Sequence, residues 1–412
     1  MESNLSMKKI AAVVSAAVLF LLLLSFALLA VLNRKPCAAF YGISERTQNA
    51  MEAVLQQTAV RRKGKSQPYE VVRLDDALPL ADALKKVRRV DVLFIHAGCN
   101  ADVAAARAKK KKSGFEPGIL SKMTTSVKQA AQPVDGRIAA VPLLIDHCEI
   151  DINRNAFSSS GMEELSYWSD LETFADKTRA SSLAAAVFAG ADDASLVNVF
   201  GAMTEALSGV DSWNRAVAEI QAAFAEGGAA ARIASEAAAR LLQKDGALYE
   251  AGNTVRRWID IGIFPKNVME LTMDDIEFYM THHLSQTAFM TLSDHRTLPI
   301  EALSEFTSIY YPSRGGTVRH FTAPVIFAVP LTKNKTARSS IRSLAVSLQN
   351  MLSVRTGLAP AEASAGVPDR QADDVRYWVA ASEAPLPALS AAAFRSQAEV
   401  SAFARALRAS FQ

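Results

Sequence analysis

Apolar residues fall along this chain in three rhythms. From Ile10 to Leu32 they run for 23 residues without a charge, long enough, as a helix rising ~1.5 Å per residue, to cross a bilayer's hydrocarbon core. Lys8 and Lys9 precede the run and Arg34 and Lys35 close it. That pattern suits an uncleaved signal anchor, since the Ser25-Phe26-Ala27 cleavage site is weak. From residue 38 to 97 short apolar runs alternate with amphipathic ones. Ala38 to Ile43 predicts a strand, and Ser44 caps a helix with Met51, Val54, Leu55 and Thr58 on one face. Tyr69 to Leu74 predicts a second strand, Pro79 to Arg89 a helix, and Val90 to Ala97 a buried strand. Strands and helices in that alternation imply a parallel sheet wrapped by helices. Ligands meet such sheets at the carboxyl ends of the strands, which marks Tyr41, Glu45, His96 and Asn100 as candidates.

The third rhythm is helical. Met162 to Thr178, Ser195 to Ser208, Asp211 to Ala225 and Ala229 to Tyr249 are alanine-rich segments with helical spacing, punctuated by Gly190, Gly209 and Gly227-Gly228. Between the two regions, residues 136 to 157 form a Gly-led apolar run, broken by Pro142, that continues into an alternating strand. This reads as a connector between lobes. Farther on, Met273 to Met280 predicts a helix, Ala288 to Leu292 a strand, Ser293 to Arg296 a loop, Ala323 to Val329 a strand, and Thr336 to Leu352 a helix. Thr356 to Gly366 is an extended segment ahead of the last helices.

A net charge of +3 from 45 basic and 42 acidic residues leaves no broad basic footprint, so nucleic-acid binding is not expected. No Gly-x-Ser-x-Gly elbow, His-Glu-x-x-His helix or phosphate-cradling glycine loop is present, and the adjacent pairs Asp192-Asp193 and Asp274-Asp275 point apart on a helix. No enzyme is expected. Trp168, Trp213, Trp258 and Trp378 suit core packing. Cys37 follows the apolar run, but Lys35-Pro36 is not the small-residue context of a lipidation site. Cys99 and Cys148 could pair as a disulfide. Alternatively His96, Cys99, His147 and Cys148 offer two imidazoles and two thiols to zinc.

Four phrases, in order, carry a resemblance. They are Asp135-Gly136-Arg137-Ile138-Ala139-Ala140-Val141-Pro142, then Ile152-Asn153-Arg154-Asn155-Ala156-Phe157, then Tyr167-Trp168-Ser169-Asp170-Leu171, then Ala288 to His295. Ala323 to Val329 with Lys333-Asn334-Lys335 follows them. In this order the chain resembles the extracellular solute-binding proteins of ABC importers, in the sugar- and oligosaccharide-binding branch. Two departures stand out: Ser293 to His295 replaces an aromatic-bearing Gly-x-Trp, and Ile152 replaces a tyrosine.

The resemblance implies a bilobal α/β periplasmic-binding-protein fold, two lobes joined by hinge crossovers behind one N-terminal transmembrane segment. Residues 1–36 would be the anchor and its flanks, 37–144 with 324–358 the first lobe, and 145–323 with 359–412 the second. It also implies a small, sugar-like ligand captured by hinge closure, an ABC permease as partner, no cofactor, a monomer, and an anchored body outside the cytoplasmic membrane. The cleft candidates become Tyr41, Glu45, His96 and Asn100, Asp146 and His147 of the connector, and Asp192, Asp193, Asp294 and His295 facing them. Two other readings stay open: an exported zinc-dependent enzyme, or a structural or signalling module that has lost its pocket.

Overall fold

A computed structural model describes residues 18–21, 25, 35–58, 61–62, 65–66, 68–131, 136–180, 182–315 and 320–411. The expected anchor, Ile10 to Leu32, lies outside them apart from the helical residues Val18–Leu21 and Ser25. Among the described residues no helix is long and apolar enough to cross a membrane.

Two sheets organise the chain. The first takes β1 (Cys37–Tyr41), β2 (Glu70–Arg73), β3 (Val92–His96), β4 (Val141–Ile145), β9 (Val325–Pro330) and β10 (Ala359–Pro360) in the order β10-β4-β9-β3-β1-β2. β1 pairs in parallel with both β2 and β3, whereas β9 runs antiparallel between β3 and β4. Period-two alternation explains how this sheet is buried on both faces. Ala38, Phe40, Val92 and Phe94 enter one core, where Phe40 and Phe94 stack with centroids 4.9 Å apart. Ala39, Tyr41, Leu93 and Ile95 enter the other. Cys37 is built into β1, buried, its N–H donating to Asp91 Oδ2 at 3.0 Å.

The second sheet takes β5 (Cys148–Asn153), β6 (Ala184–Phe188), β7 (Ser285–Thr291) and β8 (Phe306–Ile309) in the order β8-β5-β7-β6. Its core gathers around Trp258, which contacts Trp168, Phe264 and Phe289. The predicted helices Ser195 to Ser208 and Asp211 to Ala225 form one element, Asp193–Ala225, that turns at Gly209, where φ is +80°. Ala229 to Tyr249 divides into Ala230–Leu242 and Tyr249–Asp260, and Thr336 to Leu352 into Lys335–Val346 and Gln349–Thr356. Ser293 to Arg296 is not an open loop. Leu292–His295 closes one helical turn, capped by Thr291 and Asp294.

The connector crosses between the sheets at Asp146-His147, from β4 to β5. Asp146 N–H donates to Pro324 O at 2.8 Å, so the second crossing runs beside the first. The third crossing, expected at residue 359, lies farther on. Ala372, Val375 and Val379 of the helix Arg370–Ala381 join the first lobe's core, whereas Leu389, Ala393 and Phe403 join the second's. Ala384–Leu386, between them, pairs in parallel with His320–Thr322 and makes the hinge.

Candidate functional site

A cleft of about 340 Å³ opens where the lobes meet. Tyr41 ends β1, His96 ends β3, and Asn100 lies in the first turn of the following helix, Cys99–Lys110, so all three stand at the carboxyl edge of the first sheet. Asp76, in the loop after β2, joins them. The hinge supplies Asp146, Ser293 and Pro324, and the second lobe supplies Asp192, Ser195, Asn198, Met273 and Asp294. The chain's last third adds Ala391, Phe394 and Gln397.

Hydrogen bonds seam the lobes along one edge of the cleft. Tyr41 Oη lies 2.8 Å from the Leu78 carbonyl and 3.0 Å from that of Arg395. Asn100 Nδ2 donates to Arg395 O at 3.1 Å, and Gln397 N–H donates to Asp76 O at 2.7 Å. Asp146 anchors the hinge, its carboxylate accepting from His147 N–H at 2.8 Å, Ser293 N–H at 2.9 Å and Ser293 Oγ at 2.6 Å.

The lining is acidic: Asp76, Asp146, Asp192 and Asp294 face the cleft, with no lysine or arginine among the described residues. Burial pushes all four carboxyls up, that of Asp146 to about 7. Burial also pushes His96 down to about 4, which keeps its imidazole neutral. His96 Nδ1 and Ser195 Oγ are buried without a hydrogen-bond partner. Buried polar atoms are rarely left unpaired, and both residues line the cleft. The walls therefore combine neutral hydrogen-bonding groups, carboxylates and the aromatic rings of Tyr41 and Phe394.

Four residues expected here are elsewhere. Glu45 opens a helix at the surface and pairs with Arg73 at 2.8 Å. Asp193 pairs with Arg408 at 2.6 Å. Neighbours on extended chain point to opposite sides, so Asp146 faces the cleft while the His147 ring packs on Trp378, centroids 5.3 Å apart. His295, at the end of its helical turn, points back to Asp151 at 2.8 Å. All three cysteines are free. The zinc set is dispersed: Cys99 Sγ donates to Phe394 O at 2.9 Å, Cys148 lies in the second core, and His96 faces the cleft.

Asp76, Ser195, Asn198, Ser293 and Phe394 are site residues that sequence reading missed. Asp76 follows β2 and was open to the carboxyl-end rule; Phe394 carries no local signal.

Near the hinge, Glu205 of the helix Asp193–Ala225 is buried, and burial raises its carboxyl from 4.5 to about 8. The folded state therefore holds this proton more tightly than the unfolded chain. Its contribution to stability is complete below pH 4.5 and is lost as pH rises to about 8. Asp146 acts with the same sign up to about 7. Glu205→Gln is expected to flatten part of this decline in urea midpoints measured across the window; an unchanged slope would contradict the assignment.

No protein-family model matches the chain, and no curated protein matches it. Solved structures do. The chain is similar to the bacterial solute receptor AcbH, described as having an exclusive preference for β-D-galactopyranose, with TM-score 0.64, 12% identity, and coverage of 91% of this chain and 99% of that one. It is similar to a chitin oligosaccharide binding protein at TM-score 0.61 and 11% identity, covering 92% and 98%. It is also similar to maltose-bound MalE3 of T. maritima at TM-score 0.53 and 14% identity, covering 90% and 98%. The fold is thus the bilobal fold of solute-binding proteins. The similarity runs nearly end to end through those chains.

Proposed function

We propose that this chain is an extracytoplasmic solute-binding protein that captures a small sugar-like molecule between its lobes and delivers it to an ABC permease. The observation that carries the reading is the interlobe cleft, where unpartnered His96 Nδ1 and Ser195 Oγ stand among carboxylates at the hinge. Hydroxyl groups of a sugar both donate and accept, which suits a neutral imidazole, a serine and acidic acceptors in one cavity. Three crossings side by side let the lobes rotate about a short axis. On this reading the protein binds without transforming its ligand and acts as a monomer. The apolar run Ile10 to Leu32 would hold it to the membrane, its body outside the cytoplasm.

Four carboxylates, with no lysine or arginine among the described lining residues, favour an amine-bearing sugar over a neutral or acidic one. A melting-temperature screen against neutral, amino and acidic sugars is the test. A ligand at about a hundred times its Kd adds roughly 2.7 kcal/mol to the folded state. Amino sugars should give the largest upward shift and acidic sugars none. No shift with any sugar would contradict the proposal.

A further inference from the structure

Away from the cleft, β5 alternates. Cys148, Ile150 and Ile152 enter the second core, which sends Glu149 and Asp151 to the opposite face, where both are fully buried. His295 turns toward them, Ser308 of β8 lies beside them, and Gln371 reaches in from the first lobe's helix Arg370–Ala381. His295 Nδ1 stands 2.8 Å from Asp151 Oδ1 and 3.2 Å from Glu149 Oε1. Gln371 Nε2 stands 2.6 Å from Glu149 Oε1 and 3.1 Å from His295 Nδ1. Ser308 Oγ bonds to Asp151, Gln371 and Glu149. The remaining carboxylate oxygens, Glu149 Oε2 and Asp151 Oδ2, are buried with no hydrogen-bond partner; His147 Nδ1, likewise unpartnered, stands 3.8 Å from Glu149 Oε2, beyond hydrogen-bond reach.

With both carboxylates ionised, His295 Nδ1–H donates to Asp151 Oδ1 and Gln371 to Glu149 Oε1, but two buried negative charges face a single imidazole. Removing the imidazole proton leaves a lone pair facing two carboxylates. One more positive charge at the centre balances the second carboxylate and gives the two orphaned oxygens a partner.

We propose that Glu149, Asp151 and His295 bind a divalent transition-metal ion of zinc-like preference, with Ser308 and Gln371 beside it. One imidazole with two carboxylates selects zinc or manganese over the all-oxygen cages that calcium and magnesium prefer. The ligand atoms of all three lie within 4.8 Å of one another. A cavity of about 300 Å³ lined by His295, Ser308 and Gln371 leads to the site. At its mouth Arg296 pairs with Asp369 and Arg370 with Asp374, while Arg154 adds a further positive charge. Because Gln371 belongs to the first lobe and the three ligands to the second, the ion sits against the hinge and clasps it.

The test is equilibrium dialysis of the full chain in detergent, stripped of metal and then exposed to zinc chloride, with metal counted per chain. The expected result is one zinc per chain, a raised melting temperature, and an X-ray absorption spectrum with nitrogen and oxygen ligands only. Glu149→Gln with Asp151→Asn should weaken binding by ~100-fold or more, the upper end of what even an outer-shell loss costs. Should that double variant not fold, His295→Gln and the wild-type stoichiometry decide. Substoichiometric zinc in the wild type, zinc retained in a folded variant, or sulfur among the ligands would overturn the proposal; a buried proton would then supply the missing charge.

Discussion

Asp146→Ala is expected to lower the stability of the folded chain by about 3 kcal/mol or more and to abolish solute binding. Its carboxylate is 4% exposed and takes hydrogen bonds from two backbone N–H groups and one hydroxyl. While Ser293 Oγ keeps Thr291 Oγ1 at 2.9 Å, truncation leaves the two backbone donors without a partner, at roughly 1–3 kcal/mol for each that stays buried. They belong to His147 and Ser293, the two sides of the hinge, so the loss also frees the lobes' relative orientation. Asp146→Asn keeps the shape and one acceptor, and its effect should be smaller. Urea denaturation of the wild type and both variants checks this; Asp146→Ala costing less than ~1 kcal/mol would show that the hinge is held by something else.

Gly98→Ala should part the lobes. Gly98 has φ 138° and ψ −168°, a conformation open essentially to glycine alone. A β-carbon there would stand 2.2 Å from Ala391 O and 2.6 Å from Ala391 C, both backbone atoms. Gly98 belongs to the first lobe and Ala391 to the helix Leu389–Ala393, which packs with the second. The added methyl is a wedge at the seam beside the cleft. Backbone strain and overpacking together cost about 2–5 kcal/mol, and separating the lobes is the easiest relief. Small-angle scattering should report a larger radius of gyration, and the thermal response to ligand should vanish. Gly118→Ala, with nothing within 4 Å, is the control and should change neither. An unchanged radius and full ligand response in Gly98→Ala would contradict the description of the seam.

The parallel part of the first sheet, β1 to β3, was legible because its strands alternate with amphipathic helices; the antiparallel insertion of β9 was not. The carboxyl-end rule then placed Tyr41, His96 and Asn100 in the cleft without further information. Asp146 followed from the crossing. Other features were hidden for physical reasons. β6 reads Ala-Ala-Ala-Val-Phe, and alanine's high helix propensity masks a strand that tertiary packing imposes. β8, Phe-Thr-Ser-Ile at a sheet edge, is too short and mixed to stand out. The third crossing could not be located because the alanines and valines of residues 372–379 fit either core equally well. His147 and His295 were misplaced because direction is set by a single residue of register, and sequence alone does not say which of two neighbours faces the cleft.

Calorimetric titration reads directly whether the interlobe cleft is a solute site. The sugar giving the largest melting shift should bind the full chain at one per chain. A His96→Leu, Ser195→Ala variant that melts as the wild type does should bind it at least ~5-fold more weakly, since each lost hydrogen bond removes roughly 0.5–1.5 kcal/mol. Undiminished affinity in that variant, or no heat with any sugar, would contradict the account.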